Sequence, residues 1–319
     1  MEIVSIIFPV FFIAVLGYVL TWLGAFRVED IAGLTRYVFN IALPIMLFDS
    51  MSRIALPEQI QWTFLLAYYI PAVAIYFIGA AVGHTLFGHT RTEQGIYGMG
   101  CAYSNTVLIG LPIVSTAWGD RGVLPLMMIV SIHTAILFTL TTAVAESGLS
   151  RGGSGSDAPG KRTILVKTAI GMLRNPIFGG LIAGLIWNRT GLGLPAPLAT
   201  AITWIRESAL PAALFVTGAS LRQYRIAGHI GAASAMIGMK LLVHPVLVWI
   251  LGHVVFDIPP LWTGVAVLTA ALPTGVNVSV FAAKYDAAVA PVVTGTLIST
   301  VLSIVTLSAL LLILGPLPG

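Results

Sequence analysis

Charge is what this sequence has least of. It carries 16 Lys and Arg against 12 Asp and Glu in 319 residues, so 9% is charged while 57% is apolar; a soluble domain would be roughly 25% charged. So few charges cannot cover a water-soluble fold of this size, which excludes a soluble enzyme. Cysteine is nearly absent: Cys101 stands alone, forbidding an internal disulfide or a CxxC metal site, and its apolar setting suits an inert thiol better than a reactive one. The net charge of +4 comes without a basic block or a basic face interleaved with aromatics, so nucleic acid is not an expected partner. Also missing are HExxH, GxSxG and a P-loop, which leaves metal hydrolysis and nucleotide-driven pumping without residues. No cofactor and no metal is expected. Neither a filter loop nor a ring of like charge marks a channel, and no acidic cluster marks a sodium site.

What is present is apolar sequence in lengths that suit a bilayer. Stretches at about 3–23, 31–51, 62–83, 95–117, 123–145, 169–188, 202–221, 228–254, 261–283 and 290–314 predict ten transmembrane helices and an all-α membrane protein. The first stretch lacks a small-residue cleavage site before Arg27 and is expected to be a retained helix. Only 147–168, with its Gly and Ser run followed by Lys161, Arg162 and Lys167, has the composition of a linker; it separates 1–146 from 169–319, five stretches each. Eleven Lys and Arg follow odd-numbered stretches and four follow even-numbered ones. That bias places the linker in the cytoplasm and both termini outside it, in the inner (plasma) membrane. Trp22, Trp62, Trp118, Trp187 and Trp262 lie near the ends, where a headgroup belt explains them.

The two halves repeat one another. At an offset of 167, Pro9, Phe11 and Gly17 meet Pro176, Phe178 and Gly184, and Leu43-Pro44-Ile45-Met46-Leu47-Phe48 meets Leu210-Pro211-Ala212-Ala213-Leu214-Phe215. At 166, Asp120, Val123 and Pro125 meet Asp286, Val289 and Pro291. An odd number of helices per repeat turns the second upside down in the membrane, the plan of secondary transporters with a site near the midplane.

The chemistry concentrates in helices 4 and 9. Helix 4 carries Ser104, Asn105, Thr106, Gly110 and Pro112, and helix 9 carries Pro273, Thr274, Gly275 and Asn277, so helix breakers and polar groups coincide at mid-span. Unpaired backbone there costs several kcal/mol unless protein, water or ligand satisfies it. A pair of unwound helices lining a cavity accounts for both stretches. Opposed half-helix N-termini, with Asn105 and Asn277 as neutral donors, would hold a carboxylate. The plainer alternative is that these groups only bond neighbouring backbone or hold helices together. Asn40, four residues before Pro44, touches either substrate or the carbonyl that the proline frees. His133, opposite Ser299 at an offset of 166, is either a titrating or donating group or a hydrogen-bonded interior histidine. Lys240 either attracts an anion or snorkels. Asp49, Arg206 and Glu207 are expected as interfacial or paired charges.

Taken in order, Tyr37-Val38-Phe39-Asn40-Ile41-Ala42-Leu43-Pro44, Ser104-Asn105-Thr106-Val107-Leu108-Ile109-Gly110-Leu111-Pro112, Arg174-Asn175-Pro176, Leu210-Pro211-Ala212-Ala213-Leu214-Phe215, Lys240-Leu241-Leu242-Val243-His244-Pro245 and Leu272-Pro273-Thr274-Gly275-Val276-Asn277 make the chain resemble the auxin efflux carrier family. Its plant members are the PIN proteins, and its bacterial members include malonate and other organic-acid transporters. The resemblance spans nearly the whole chain. It implies two inverted five-helix repeats with broken, crossing helices 4 and 9, a bile-acid/sodium symporter-like, NhaA-like fold. Helices 1, 2, 6 and 7 would form the scaffold, and helices 3–5 and 8–10 the transport domain. A proline precedes the helix-4 asparagine in the plant carriers, where Ser104 stands here, and they have a polar amide on helix 5 near the place of His133. Their long cytoplasmic loop is absent. The expected function is transport of a small organic anion, malonate or an auxin-like acid among the candidates, with proton coupling or none in preference to sodium. A membrane sensor that binds such an acid without moving it is the rival. The expected partners are the organic acid, the lipid bilayer and, as one option, a second copy of the chain.

Overall fold

The computed structural model of the chain describes residues 2–53, 61–151, 176–222 and 228–314. Most of the expected linker at 147–168 lies outside these residues, as do Arg174 and Asn175 of the quoted motifs. The described part is helical throughout, apart from one isolated antiparallel bridge between Ser104 and Thr274. In chain order the helices are α1 (Glu2–Trp22), α2 (Val28–Tyr37), α3 (Leu43–Arg53), α4 (Trp62–Phe87), α5 (Arg91–Ala102), α6 (Leu111–Arg151) and α7 (Pro176–Thr190). They continue as α8 (Ala196–Leu221), α9 (Ile230–Gly238), α10 (His244–Trp249), α11 (Pro260–Ala271), α12 (Asn277–Tyr285) and α13 (Val289–Leu314). Each predicted apolar stretch falls mainly on helix where it is described, with interruptions at 103–105 and 272–276 inside two of them. Among the described residues, five helical segments are long and apolar enough to cross a bilayer: Glu29–Arg53, Trp62–Phe87, Thr106–Gly148, Ile230–Val255 and Val289–Leu314. The molecule is a multi-pass membrane protein. Its outer faces agree with this, because Phe8, Phe12 and Trp22 of α1, Ile70 and Phe77 of α4, and Val305 and Leu312 of α13 are exposed, while Ser104, His133, Lys240 and Thr274 are buried.

Prolines shape the long helices in a consistent way. Wide π-turns at Val38–Ala42, Thr106–Gly110 and Met239–Val243 each end two residues before a proline, Pro44, Pro112 and Pro245. Proline has no N–H and its ring crowds the carbonyl four residues back, so the turn ahead of it widens and the amide of the residue just before the proline bonds five residues back. Leu43, Leu111 and His244 do this, donating to the carbonyls of Val38, Thr106 and Met239. Gly119, at φ 60 and ψ −155, bends α6 between the apolar stretches predicted as helices 4 and 5.

Several contacts between helices are made at glycine, and two of them are related by the repeat. A Cβ on Gly17 of α1 would overlap the Phe215 carbonyl of α8, and a Cβ on Gly184 of α7 would meet the Phe48 carbonyl of α3. Only glycine lets the backbones approach this closely. In each pair the glycine and the phenylalanine of one contact are, at the offset of 167, the counterparts of those in the other.

Candidate functional site

The site begins with two helices that stop halfway. α5 and α11 have 12 residues each, about 18 Å of helix against a hydrocarbon core of about 30 Å. α5 starts on a capping box: the Thr90 hydroxyl accepts from the Glu93 amide, and the Thr90 amide donates to the Glu93 carboxylate at 2.8 Å. It ends where Tyr103 turns extended, at Ser104-Asn105-Thr106, residue types that compete with helix by bonding backbone locally. α11 starts at Pro260 and ends at Leu272, which precedes Pro273 and is extended. The break without a proline is the shorter, 103–105 against 272–276.

The two breaks pair with each other. The Asn105 amide donates to the Pro273 carbonyl and the Gly275 amide to the Tyr103 carbonyl, both at 3.0 Å, which makes Ser104 and Thr274 opposite members of a short antiparallel ladder. The amides of those two residues point outward and are taken up by the helices behind. Ser104 N–H donates to His133 Nε2 at 3.1 Å, and Thr274 N–H donates to Ser299 Oγ at 3.2 Å. His133 and Ser299 are the pair matched at an offset of 166, so corresponding positions brace corresponding breaks. His133 is therefore a hydrogen-bonded interior histidine. Its Nδ1 has no partner among the described residues. Thr274 Oγ1 also donates to the Gly100 carbonyl at 2.9 Å, near the end of α5.

Beyond the ladder the chain re-enters helix twice, at Thr106 and at Asn277. The start of a helix carries the positive end of its dipole; here the Thr106 amide donates to the Ser104 carbonyl, and the Val278 and Ser279 amides donate to the Gly275 and Val276 carbonyls, so the dipole rather than a row of free amides is what these ends offer. Both ends border a cavity of about 580 Å³ lined by Ser104, Asn105, Thr106, Gly275 and Asn277, with Tyr103, Ser131 and Thr134 as further polar groups. Its apolar wall comes from Phe39, Met127, Phe138, Phe178 and Leu181, among others, and no charged side chain lines it. Volume and lining suit one small molecule held by a few polar groups. Asn277 Nδ2 donates to Tyr103 Oη at 3.0 Å, and Tyr103 Oη lies 3.2 Å from Thr134 Oγ1, a chain that fixes the amide.

Not every expected residue reaches the cavity. Pro273, Thr274 and His133 lie behind it, shaping and bracing the ladder, and Asn40 is exposed while its neighbour Phe39 lines the wall. Lys240 does not snorkel. It is fully buried, and its ammonium donates to Ser104 Oγ at 2.8 Å and to the Ala270 carbonyl. Sequence reasoning passed over Ser131 and Thr134. Their signal is the spacing 127, 131, 134 and 138, one stripe of α6, from which the more conspicuous His133 is rotated away.

A second hollow of about 450 Å³ is lined by Pro112, Thr116, Asp120, Arg206 and Glu207 with apolar neighbours. Here Arg206 bridges two carboxylates, Asp49 at 2.6 Å and Asp120 at 2.9 Å, and Arg53 adds a second contact to Asp49 at 2.6 Å. Asp49 and Arg206 are thus paired, as expected. Along the α2–α3 rod, Asp49 is ten residues beyond Phe39, about 15 Å at helical rise. The ion cluster and the cavity therefore sit at different depths.

The sequence profile described as membrane transport protein matches residues 2–311. The chain belongs to that family, the family of the auxin efflux carriers. It is 28% identical, over 100% of its own length and 98% of the relative's, to a Rhizobium meliloti protein named "Putative malonate transporter". It is 25% identical to an uncharacterized transporter of Methanothermobacter thermautotrophicus, over 94% of this chain and 95% of that one. It is 24% identical to auxin efflux carrier component 8 of Arabidopsis thaliana, over 89% and 90%. The family is one of transporters, not enzymes, as the missing catalytic motifs led one to expect.

Proposed function

We propose that this family member is a secondary transporter of small organic anions, dicarboxylates such as malonate included, working by alternating access at the crossing of its two interrupted helices. The observation that carries this is the cavity at the crossing. It offers two helix N-termini and the amides of Asn105 and Asn277 in a pocket without a carboxylate, an arrangement that attracts an anion and repels nothing about it. The name of the Rhizobium meliloti relative agrees with a dicarboxylate. Asn105 is the principal donor, because its side chain makes no cap bond of its own. Gly275 keeps the crossing close, since a Cβ there would meet the Tyr103 ring at 2.6 Å.

Movement is the second half of the proposal. The exchanged Gly–Phe contacts join α1 to α8 and α7 to α3, which supports a scaffold made of helices 1, 2, 6 and 7 in ten-helix, two-repeat numbering. The crossing would belong to a body made of helices 3–5 and 8–10. Two hollows, one lined by residues 104–108 and the other by Pro112 and Thr116, agree with a site reached alternately from either side. The excess of cationic side chains after odd-numbered helices supports an orientation in the inner membrane with the Phe39 and Phe178 wall of the cavity toward the cytoplasm and both termini outside.

Counterflow of radiolabelled malonate into proteoliposomes tests the proposal. The carrier should accumulate label against unlabelled internal malonate, and Asn105→Ala should abolish binding and counterflow while the purified protein keeps its elution volume. Binding without counterflow would make the chain a sensor. Unchanged affinity in Asn105→Ala would remove that residue from the site.

A further inference from the structure

Lys240 is a cation in the wrong place for a structural residue. It sits at 0% exposure in the π-turn between α9 and α10, and it takes part in none of the ion pairs found among the described residues. Its polar neighbours are neutral: Ser104 and Ala270 as direct acceptors, Tyr68 at 3.4 Å from Ser104 Oγ, and the thiol and imidazoles of Cys101, His133 and His244 nearby. Burying an ammonium without a counter-charge costs several kcal/mol, and one carbonyl at the negative end of α11 offsets only part of that. The repeat offers no precedent for it, because the positions at offsets of 167 and 166 are Val73 and Ala74. Yet the ammonium is one hydroxyl away from the cavity, since Ser104 both accepts from it and lines the pocket.

The acceptors around it form a recognisable set. A backbone carbonyl at a helix end and a serine hydroxyl, with a tyrosine hydroxyl close by, are the hard oxygen donors that hold a small monovalent cation. We propose that the Lys240 ammonium is a tethered counter-cation for the bound anion, filling between Ser104 Oγ and the Ala270 carbonyl the position that a free monovalent cation would otherwise occupy. Its charge balances the substrate through Ser104, so the carrier needs no dissolved metal ion to bind its anion. The substrate half of this statement rests on the function proposed above; the cation half does not.

Thermal unfolding of the purified protein, with and without malonate, separates the two. Without malonate, Lys240→Ala should melt higher in sodium chloride or methylammonium chloride than in choline chloride at equal ionic strength. The unsubstituted protein and Lys240→Met, whose side chain fills the space without charge, should be indifferent to the cation. With malonate, the unsubstituted protein should bind equally well in all three salts. Lys240→Met should lose about tenfold or more in affinity, equivalent to about 1.4 kcal/mol, and Lys240→Arg should keep most of it. In Lys240→Ala, sodium or methylammonium should restore the affinity that choline does not. A folded Lys240→Ala indifferent to every cation would overturn the proposal, as would undiminished malonate affinity in Lys240→Met. Should Lys240→Ala not fold in any of the salts, Lys240→Met carries the decision. If no carboxylate binds the unsubstituted protein, the anion-transport function fails by itself, and the cation dependence of Lys240→Ala still decides for or against the tethered charge.

Discussion

At the scale of single residues, the crossing depends on small size as much as on polarity. Gly275→Ala would drive a methyl group against the Tyr103 ring and toward the Ser104 carbonyl, 3.1 Å away, and the ring has little room because it also holds Asn277 through its hydroxyl. We expect a loss of about 1–3 kcal/mol in stability, measurable as a lower melting temperature in detergent, with malonate binding lost as well. Asn277→Asp is a milder probe: it keeps the shape, turns a donor into an acceptor facing Tyr103, and should weaken malonate binding by about tenfold or more. Ser104, Asn105, Thr106, Gly275 and Asn277 were legible in the sequence because amides and hydroxyls beside helix breakers at mid-span need partners. The brace formed by His133 was legible only as a position, since sequence says that a buried imidazole needs a bond but not with what. Ser131 and Thr134 were hidden by their own plainness, two small hydroxyls on an apolar helix.

At the scale of helices, glycine sets how closely the backbones approach. Gly17→Ala would force α1 away from the Phe215 carbonyl, and Gly184→Ala would do the same to α7 at Phe48. Each should cost about 1–3 kcal/mol, read as lower melting temperatures, and the effects should add in the double variant because the contacts share no residue. A double variant no worse than either single one would mean that both contacts yield together. The positions of these helices were legible from apolar length, and the pairing of Gly17 with Gly184 from the offset of 167. The partners across the interface were not legible, because the spacing of residues along a chain does not say which backbone they will lie against. The π-turns ahead of Pro44, Pro112 and Pro245 were half legible: proline predicts a disturbed helix, but kinking and widening satisfy the freed carbonyls equally well.

At the scale of the whole molecule, the ion cluster is, among the described residues, the one charged link between α8 and the bend of α6. Asp120→Asn would release Arg206 from Asp120 while leaving it with Asp49. Asp120 and Arg206 are 47% and 30% exposed, so the bond is worth on the order of 0.5 kcal/mol, roughly a two-fold shift between states. A thiol placed by Thr116→Cys, on the exposed wall of the second hollow, should then react about twice as fast with a membrane-impermeant maleimide, with buried Cys101 as a silent background. An unchanged rate would show that the bond does not hold that end shut. The short ladder between the two breaks has a consequence of its own. Joined by two amide bonds and braced from behind by His133 and Ser299, the two halves of the crossing are riveted together, and in the proposed carrier they would travel as one piece. A guest of that carrier would keep the same grip wherever the door stands, so its dissociation constant should be alike whether it arrives from one compartment or the other, and any uphill flux would have to come from what rides with it.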